Sequence, residues 1–412
     1  MNKKVTVYCK NTKHKKEINI GTSLTEIAKI FNVEIEGGIL GALVKNQYKE
    51  LSYIVTKPII VEFFGIENKE GQRIYSRSLF FVLYKAIYDL FGKKYKLSLC
   101  NSVSSGYYCT AKKGRVHLTD EQIIKVKYRM KEIIDDNIPI TRDEIPTDEA
   151  VAIFKKQDLN SKAELFKTRG LIYSSVYKLD NIVDYYYGFL APSTGCLKVY
   201  DLLPYKKGMI LCTPDPKTNF KTVKQFVKQE KMLNNFIAYN NWNERHKLDN
   251  ISDINEAVRN GEISDLIKVA EANQDVRIHY AAKEIHKHKK NIRIILLAGP
   301  SSSGKTTTAQ RLAVHLQMFN IKSYKISLDD YFVNRDKTPL DENGDYDYEA
   351  LEALDIDFFN KQLNELLEGK EIELPSYDFI TGTRKFNGNR IKINKDEMLI
   401  IEGIHGLNPK LT

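Results

Sequence analysis

A glycine-rich loop of the pattern G-x-x-x-x-G-K-T lies at residues 299–306, where the sequence is Gly-Pro-Ser-Ser-Ser-Gly-Lys-Thr. The residues before it, 292–298, form a short apolar run, which is typical of a buried parallel strand. The residues after it place Leu312, Leu316 and Phe319 on one side of a predicted helix. A strand, a glycine loop and a helix in this order direct backbone N–H groups and a helix N-terminus at phosphate groups. The segment therefore predicts a nucleoside-triphosphate site beside a parallel α/β sheet.

The loop predicts a specific set of nucleotide contacts. We expect its backbone N–H groups to cradle the phosphates, Lys305 to reach the β- and γ-phosphates, and the Thr306 hydroxyl to bind Mg²⁺. The serine hydroxyls add hydrogen-bond groups, although serine also suits a tight loop simply because it is small. ATP and Mg²⁺ are thus the expected cofactors. The predicted nucleotide-binding residues are Gly299, Ser301, Ser302, Ser303, Gly304, Lys305, Thr306 and Thr307.

Two further predicted strands end in acidic residues. Residues 322–327 form one and are followed by Asp329 and Asp330, and residues 398–401 form the other and are followed by Glu402. Ligands bind beyond the carboxyl ends of the strands in an open parallel sheet, so these acids are expected to face the phosphate loop. We expect Asp329 to accept the proton of an attacking hydroxyl, whereas a turn cap is the alternative for either aspartate. Glu402 ends an apolar strand in the Walker-B manner, and we expect it to support the Mg²⁺.

Length and composition set broad limits on the chain. At 412 residues, it is long enough for about two to four domains. It has no apolar run of about 18 residues and no apolar signal core at its start, so neither a membrane partner nor secretion is expected. Its 5 cysteines are scattered without a C-x-x-C pair, which argues against a disulfide framework and against a metal site built from them. These features together predict a cytoplasmic location.

Charge is unevenly distributed along the chain. Residues 291–412 carry 15 Lys and Arg against 19 Asp and Glu, whereas the whole chain carries 63 against 53. The first 290 residues therefore carry 48 basic against 34 acidic residues. This basic excess is consistent with an RNA-facing or otherwise anion-facing surface, but a solvated face that is rich in lysine is the favoured interpretation.

Residues 1–65 have the pattern of a small β-rich module. Ser23-x-x-Glu26 is a capping box that opens a helix with an apolar face. The strand-like runs are residues 5–9, 16–20, 39–44 and 59–64. This order of strands and helix suggests a β-grasp fold. Together with the sequence G-T-S-L-T-E-I-A at the helix start, it resembles the TGS domain found at the N-terminus of threonyl-tRNA synthetases and of some GTPases.

Residues 66–240 form a second predicted unit of α+β type. Apolar residues at helical spacing over 79–90 predict one helix, and Thr119 is the expected N-cap of another that ends near Ile134. The sequence G-Y-Y-C at 106–109, followed by L-T-x-E, resembles the second, editing-type domain of threonyl-tRNA synthetases. The resemblance implies the fold of this unit.

The same region lacks the residues that carry the chemistry of that family. The family carries H-x-x-x-H on the first helix, but Phe81 and Lys85 stand at these places. The later cysteine region of the family falls near residues 186–188, which contain no thiol. The departures argue against editing chemistry, and leave a substrate-sensing, an RNA-binding or a purely structural role open. Residues 241–290 are polar with helical periodicity and are expected to form a helical linker.

The phosphate loop belongs to a longer set of motifs. They are G-P-S-S-S-G-K-T (299–306), S-L-D-D-Y-F (327–332), Y-D-Y (346–348), P-S-Y-D-F-x-x-G-x-R (375–384) and I-I-E-G-I-H (400–405). In order and spacing they resemble the uridine kinase and phosphoribulokinase family. With the N-terminal modules, the chain resembles a bacterial nucleoside kinase type.

This second resemblance implies roles for individual residues. Asp329 stands at the place of the general base and Glu402 at the place of the metal-proximal acid. The residues implied on the acceptor side are Asp347 for the sugar, Tyr377 and Phe379 for the base, and Arg384 in the same motif. Gly382 stands where many uridine kinases carry histidine, so pyrimidine specificity does not follow. Family members also continue with further strands and an arginine-bearing lid, whereas this chain ends at Thr412. We therefore expect a kinase domain truncated at its C-terminus, with weak or absent turnover by this chain alone.

The sequence thus predicts a multidomain chain of α/β and α+β modules. They are a TGS-like β-grasp module (1–65), a synthetase-like α+β domain (66–240), a helical linker (241–290) and the N-terminal part of a parallel-sheet P-loop kinase domain (291–412). The predicted activity is transfer of the γ-phosphoryl group of ATP to a hydroxyl of a nucleoside or related sugar-containing acceptor, with Asp329 and Lys305 as catalytic residues. The alternative is an RNA- or nucleotide-sensing regulator that uses the loop as a switch. The acceptor, the choice between ATP and GTP and the oligomeric state stay open.

Overall fold

The computed structural model describes residues 3–104 and 106–411. The chain divides into two compact units, Met1–Gly261 and Glu262–Thr412, so the predicted linker at 241–290 is shared between them. The finer domain boundaries remain predictions. Within the described residues, no helix combines the length and the apolar character that a membrane crossing requires.

The first unit begins with a five-stranded mixed sheet and one helix. Its elements are β1 (Lys4–Cys9), β2 (His14–Asn19), α1 (Leu24–Ile30), β3 (Gly41–Val44), β4 (Gln47–Lys49) and β5 (Ile59–Phe64). The strand order is β2-β1-β5-β3-β4, in which β1 and β5 are parallel and the other pairs antiparallel. Ser23 and Glu26 form the predicted capping box. Leu24 and Ile27 of α1 pack against Val5 and Val7 of β1, because alternate residues of that strand are buried.

The rest of the first unit is α+β, as predicted. Its elements are α2 (Lys69–Phe91), β6 (Lys96–Val103), β7 (Gly106–Lys113), β8 (Val116–His117), α3 (Asp120–Asp135), β9 (Ile140–Pro146), α4 (Thr147–Lys156), α5 (Asn160–Thr168), β10 (Tyr173–Leu179), β11 (Ile182–Asp184), β12 (Asp201–Tyr205), β13 (Gly208–Cys212), α6 (Glu230–Arg245) and α7 (Ile251–Arg259). Two antiparallel sheets have the orders β11-β10-β9 and β12-β13-β7-β6, with β8 paired to β7. Thr119 caps α3 as expected. The apolar faces of α2 and α3 meet in the largest core, through residues such as Leu83 and Met130.

The second unit contains the phosphate loop. Its elements are α8 (Ile263–Lys287), β14 (Ile294–Ala298), α9 (Lys305–Gln317), β15 (Ser323–Ser327), α10 (Ile356–Leu367), β16 (Ile372–Asp378), β17 (Thr383–Ile391) and β18 (Met398–Gly403). Strands β14, β18 and β15 form a parallel sheet in that order, and β16 and β17 form an antiparallel hairpin. The predicted parallel-sheet α/β region is therefore present.

Two cores hold this sheet. On one side, Ile278 and Ala282 of α8 pack with Leu312 and Leu316 of α9 and with Ile400. A second core joins the sheet to α10 and to the hairpin. Strand β18 is buried along its whole length, as expected for the central strand of a parallel sheet.

Candidate active site

The register of the parallel sheet brings the predicted site residues to one edge. Glu402 of β18 lies opposite Leu297 of β14 and Ser327 of β15. The phosphate loop follows β14, and a short 3-10 helix at Leu328–Tyr331 follows β15. The loop, the aspartates and the glutamate therefore meet beyond the carboxyl ends of the three strands, where ligands bind in sheets of this kind.

The phosphate loop has a conformation suited to an anion. Gly304, the N-cap of α9, has φ +81°, a left-handed conformation that glycine adopts without strain. Residues 300–304 are exposed, and α9 begins at Lys305. The ammonium of Lys305 donates a hydrogen bond to the carbonyl of Pro300 at 3.0 Å, so it reaches back over the loop. The first turn of α9, including the exposed Thr307, directs unpaired backbone N–H groups at the same space.

Thr306 and Glu402 are in direct contact. The Thr306 hydroxyl donates to Oε1 of Glu402 at 2.8 Å, which places two oxygen ligands side by side below the loop. Mg²⁺ prefers oxygen ligands and is commonly held by one or two carboxylates together with substrate phosphates. Within the described residues, no group of three or more His, Cys, Asp or Glu side chains is arranged to hold a metal by itself. The donor set therefore fits a Mg²⁺ that arrives with a nucleotide.

The two aspartates after β15 have different surroundings. Asp330 accepts a hydrogen bond from the backbone N–H of Tyr377 at 3.2 Å, which ties the short helix to β16. Across residues 3–104 and 106–411, the Asp329 carboxylate has no hydrogen-bond partner. Burial raises the pKa of Asp329, and the charge of Glu402 raises it further, while Lys305 acts in the opposite direction. A cation near Glu402 would relieve this repulsion, which further supports the fit of Mg²⁺.

Aromatic rings line the side of the site formed by the hairpin. The ring of Phe332 lies 5.5 Å from that of Tyr377, 5.9 Å from that of Phe379 and 6.0 Å from that of Tyr348. Tyr377 is buried, and its hydroxyl has no hydrogen-bond partner among the described residues. Phe379 is more than half exposed. These rings form a half-open apolar wall with one unsatisfied polar atom.

Arg384 and Asp347 were both predicted on the acceptor side. Both side chains form hydrogen bonds with other groups of the protein. The Arg384 guanidinium donates to Asp355 at 2.9 Å and to the carbonyls of Tyr331 and Phe332 at 3.1 and 3.0 Å. Only 16% of its side chain is exposed, so it braces the aromatic wall. Oδ1 of Asp347 accepts from the backbone N–H groups of two following residues, which fixes a turn. Direct substrate contacts by these two residues remain predictions.

Arg335 is a residue that the sequence motifs do not include. Its guanidinium donates to the Tyr348 hydroxyl at 3.1 Å and to the Phe379 carbonyl at 2.5 Å. Its backbone N–H donates to the carbonyl of Gly382 at 2.9 Å. Gly382 has φ +68°, and a Cβ built on it would lie 2.7 Å from the Arg335 side chain. Arg335 therefore occupies the space that a histidine would need.

In the first unit, the two positions at which the synthetase family carries histidines hold side chains that are packed within the protein. Phe81 is fully buried, with its ring 5.3 Å from that of Tyr186. Lys85 is buried and forms ion pairs with Asp89 at 2.5 Å and with Asp180 at 3.0 Å. Both side chains thus have clear structural roles.

Comparison with known proteins supports the predicted kinase domain. Residues 294–410 match the family model described as Phosphoribulokinase / Uridine kinase family. This range contains the phosphate loop, Asp329, the aromatic wall and Glu402. The match supports the predicted P-loop kinase domain in this part of the chain and leaves the substrate open.

The other comparisons concern parts of the chain. The threonine–tRNA ligase of Thermotoga neapolitana is 30% identical over 189 residues, and that of Clostridium kluyveri is 32% identical over 196 residues. Each alignment lies over the N-terminal half and covers 46% of this chain, but only 29% and 30% of the two ligases, respectively. This similarity supports the predicted synthetase-like region, whereas the assignment of a TGS domain stays a prediction. A solved structure titled as a possible uridine kinase from Bacillus stearothermophilus is 26% identical and covers 34% of this chain and 76% of that one, with a TM-score of 0.29.

Proposed function

We propose that the second unit transfers the γ-phosphoryl group of ATP to a hydroxyl group of a nucleoside or a related sugar-containing acceptor. The observation that carries the proposal is the meeting of three groups at one sheet edge. They are the exposed phosphate loop, the Thr306–Glu402 pair and the carboxylate of Asp329, which has no hydrogen-bond partner among the described residues. A phosphate site alone would serve any nucleotide-binding protein, but an unpaired carboxylate facing it suits proton removal from an alcohol.

In the proposed reaction, each residue has one task. The backbone of the loop and the Lys305 ammonium hold and neutralise the β- and γ-phosphates. The Asp329 carboxylate orients the acceptor hydroxyl and takes its proton as the new oxygen–phosphorus bond forms and the bond to the β-phosphate oxygen breaks. When bound, Mg²⁺ supplies charge neutralisation at the phosphates, and Thr306 and Glu402 are the residues that would hold it. Most of the rate enhancement comes from positioning and electrostatics.

The aromatic wall supports an acceptor with a flat ring. Phe379 is exposed enough to stack on such a ring. The Tyr377 ring packs against that of Phe379, with centroids 5.0 Å apart, and holds it in place. Stacking on Phe379 favours a nucleoside over a simple sugar.

The test is ADP formation by the full chain with ATP, Mg²⁺ and a panel of nucleosides and simple sugars. We expect acceptor-dependent ADP release with at least one nucleoside, at the low rate expected for this chain alone. Asp329→Asn should lower transfer by about 10²- to 10⁴-fold while nucleotide affinity stays within a few-fold. Asp330→Asn is the matched control, because an asparagine still accepts the Tyr377 N–H bond. Unchanged turnover in the Asp329→Asn protein would refute the assignment of the base.

A second candidate function is an RNA- or nucleotide-sensing regulator of cytoplasmic location. The similarity of the N-terminal half to threonine–tRNA ligases and the basic excess of the first 290 residues support it. Tight, salt-sensitive RNA binding without any acceptor-dependent ADP release would favour this candidate over the kinase.

A further inference from the structure

Arg335 places a positive charge at the rim of the aromatic wall. Its guanidinium donates to the Tyr348 hydroxyl at 3.1 Å, and to the carbonyls of Phe379 and Ile380 at 2.5 and 3.4 Å. The rings of Tyr348 and Phe379 both belong to the wall. The guanidinium is therefore held next to Phe379, the residue on which a flat acceptor ring would stack.

The Arg335 guanidinium keeps hydrogen-bonding capacity for a ligand. Arginine carries more N–H donors than these three bonds use, and it has no acceptor. In the part of the chain that the structure describes, no carboxylate oxygen lies within 4.0 Å of this guanidinium. By contrast, Arg384 and Lys385 on β17 are paired with Asp355 and Asp378. Arg335 is also partly exposed, so a ligand at the wall can reach it.

Gly382 fixes the place of the Arg335 side chain. A Cβ built on Gly382 would lie 2.7 Å from both Cβ and Nε of Arg335, so the side chain packs directly on the backbone of the hairpin turn. The backbone N–H of Arg335 donates to the Gly382 carbonyl at 2.9 Å and holds the two segments together. A guanidinium with a fixed position can recognise one edge of a ligand, which a freely moving side chain cannot do.

We propose that Arg335 selects the base of the acceptor nucleoside, and that it favours bases with an oxo group over bases with an amino group. This inference rests on the proposed function, because it concerns the acceptor of that reaction. A base stacked on Phe379 would bring its outer edge to the guanidinium, whose free N–H groups would donate to O4 of uracil or O6 of a purine. An amino group at that place would set donors against donors and leave the N–H groups unpaired.

A sugar phosphate is the alternative ligand for Arg335. Its phosphate oxygens would accept charge-assisted hydrogen bonds from the guanidinium. It has no flat ring, however, and would leave Phe379 exposed to water, although that side chain is already more than half exposed. A base with an oxo group makes use of both the ring and the cation, so the wall favours the base.

The experiment measures binding of two matched pairs of nucleosides to the full chain, uridine against cytidine and inosine against adenosine. Within each pair, an oxo group replaces an amino group at one ring position. Titration calorimetry is done with Mg²⁺ and a non-hydrolysable ATP analogue present, so that the result does not depend on turnover. We expect the oxo member of at least one pair to bind at least about tenfold more tightly than its amino partner.

Arg335→Gln should reduce this preference to less than about threefold, because a neutral amide offers a donor and an acceptor and so accommodates either group. Arg390→Gln is the matched control, since it makes the same change at a mostly exposed position of β17, and it should leave the preference unchanged. The ratio of affinities within a pair decides the matter. A loss of packing around the hairpin would weaken both members equally and leave that ratio as it is.

Equal affinities within both pairs, tighter binding of the amino members, or an unchanged preference in Arg335→Gln would overturn the inference and leave the proposed kinase reaction standing. Ribose 5-phosphate completes the panel. If it binds more tightly than any nucleoside and loses that advantage in Arg335→Gln, the guanidinium serves an anion and the inference is wrong. If no nucleoside binds, the proposed function fails together with the inference.

Discussion

The hydroxyl of Thr306 donates a hydrogen bond to Oε1 of Glu402 at 2.8 Å, and so links the first turn of α9 to the end of β18. The two residues are almost a hundred positions apart in the sequence, yet the parallel sheet sets them side by side. This contact positions the two oxygen ligands expected for Mg²⁺ before any nucleotide arrives.

Thr306→Val should weaken nucleotide binding only when Mg²⁺ is present. The substitution keeps the branched shape but removes the hydroxyl, so we expect about tenfold lower affinity for Mg–ATP and little change in the presence of EDTA. Titration calorimetry would measure both. Thr308→Val is the matched control, since the Thr308 hydroxyl donates to the carbonyl of Gly304 within the same turn. Equal effects of the two variants would contradict a metal role for Thr306.

Asp329→Asn should stabilise the ligand-free protein at neutral pH. The folded-state pKa of Asp329 is raised by burial and by Glu402, so the ionised carboxylate disfavours the fold above that pKa. Removing it should raise the melting temperature of the second unit at pH 8. The gain should vanish below pH 3.8, the ordinary pKa, where the carboxyl is protonated in both states. Glu349→Gln, at an exposed position, should show no such gain.

Phosphoryl transfer should require ionised Asp329. Because its pKa is raised, the acid limb of the pH dependence of kcat/KM should lie above pH 3.8 in the free enzyme. Rates of acceptor-dependent ADP release over a pH series would show this limb. A profile that stays flat down to pH 3.8 would show that another group, or none, removes the proton.

Arg384→Ala should destabilise the second unit by about 2 kcal/mol. The guanidinium makes charge-assisted bonds to Asp355 and to two carbonyls, and these acceptors would lose their partner. Arg390→Ala on the same strand is the control, because that side chain is mostly exposed and lies 3.6 Å from Glu371. Far-UV circular dichroism melts suit the measurement. Tryptophan fluorescence would not report on the second unit, because the single tryptophan, Trp242, lies in the first unit. Similar losses of stability in both variants would rule out that Arg384 stabilises the second unit through these hydrogen bonds.

Gly382→Ala should cost more stability than Gly388→Ala. Both glycines have positive φ, +68° and +77°, so both variants carry a backbone strain of about 1–2 kcal/mol. Only at Gly382 would the new Cβ meet Arg335, at 2.7 Å, whereas Gly388 has open space around it. The additional loss should be about 1 kcal/mol or more by calorimetry. Equal losses would mean that Arg335 moves aside freely.

Local patterns in the sequence were sufficient to predict much of the fold. The capping residues Ser23 and Thr119 begin helices as predicted, because capping depends on a few neighbouring residues. Two of the three parallel strands, β14 and β18, follow from their apolar runs. Packing between distant segments could not be read in this way. Helix α8, within the predicted linker, packs on α9 through Ile278 and Ala282, and no local signal distinguishes that contact from a solvated helix.

In the candidate site, too, local motifs could be predicted from the sequence, whereas contacts between distant segments could not. The motifs predicted the phosphate loop and the acids because each of them is marked by a short local pattern in the sequence. They did not predict that Arg335 fills the space beside Gly382, since that depends on a turn and a hairpin meeting in space. Nor did they predict that Asp330 is used by the Tyr377 N–H, which separates its role from that of Asp329.

The central claim is that the loop at 299–306 holds a triphosphate while Asp329 faces the acceptor. A crystal structure of the full chain with Mg²⁺ and a non-hydrolysable ATP analogue tests it most directly. We predict the β- and γ-phosphates within hydrogen-bond distance of the loop N–H groups and of Lys305, the metal beside Thr306 and Glu402, and the Asp329 carboxylate open towards the γ-phosphate. A nucleotide bound elsewhere, or Asp329 turned into the protein interior away from the phosphates, would contradict the account.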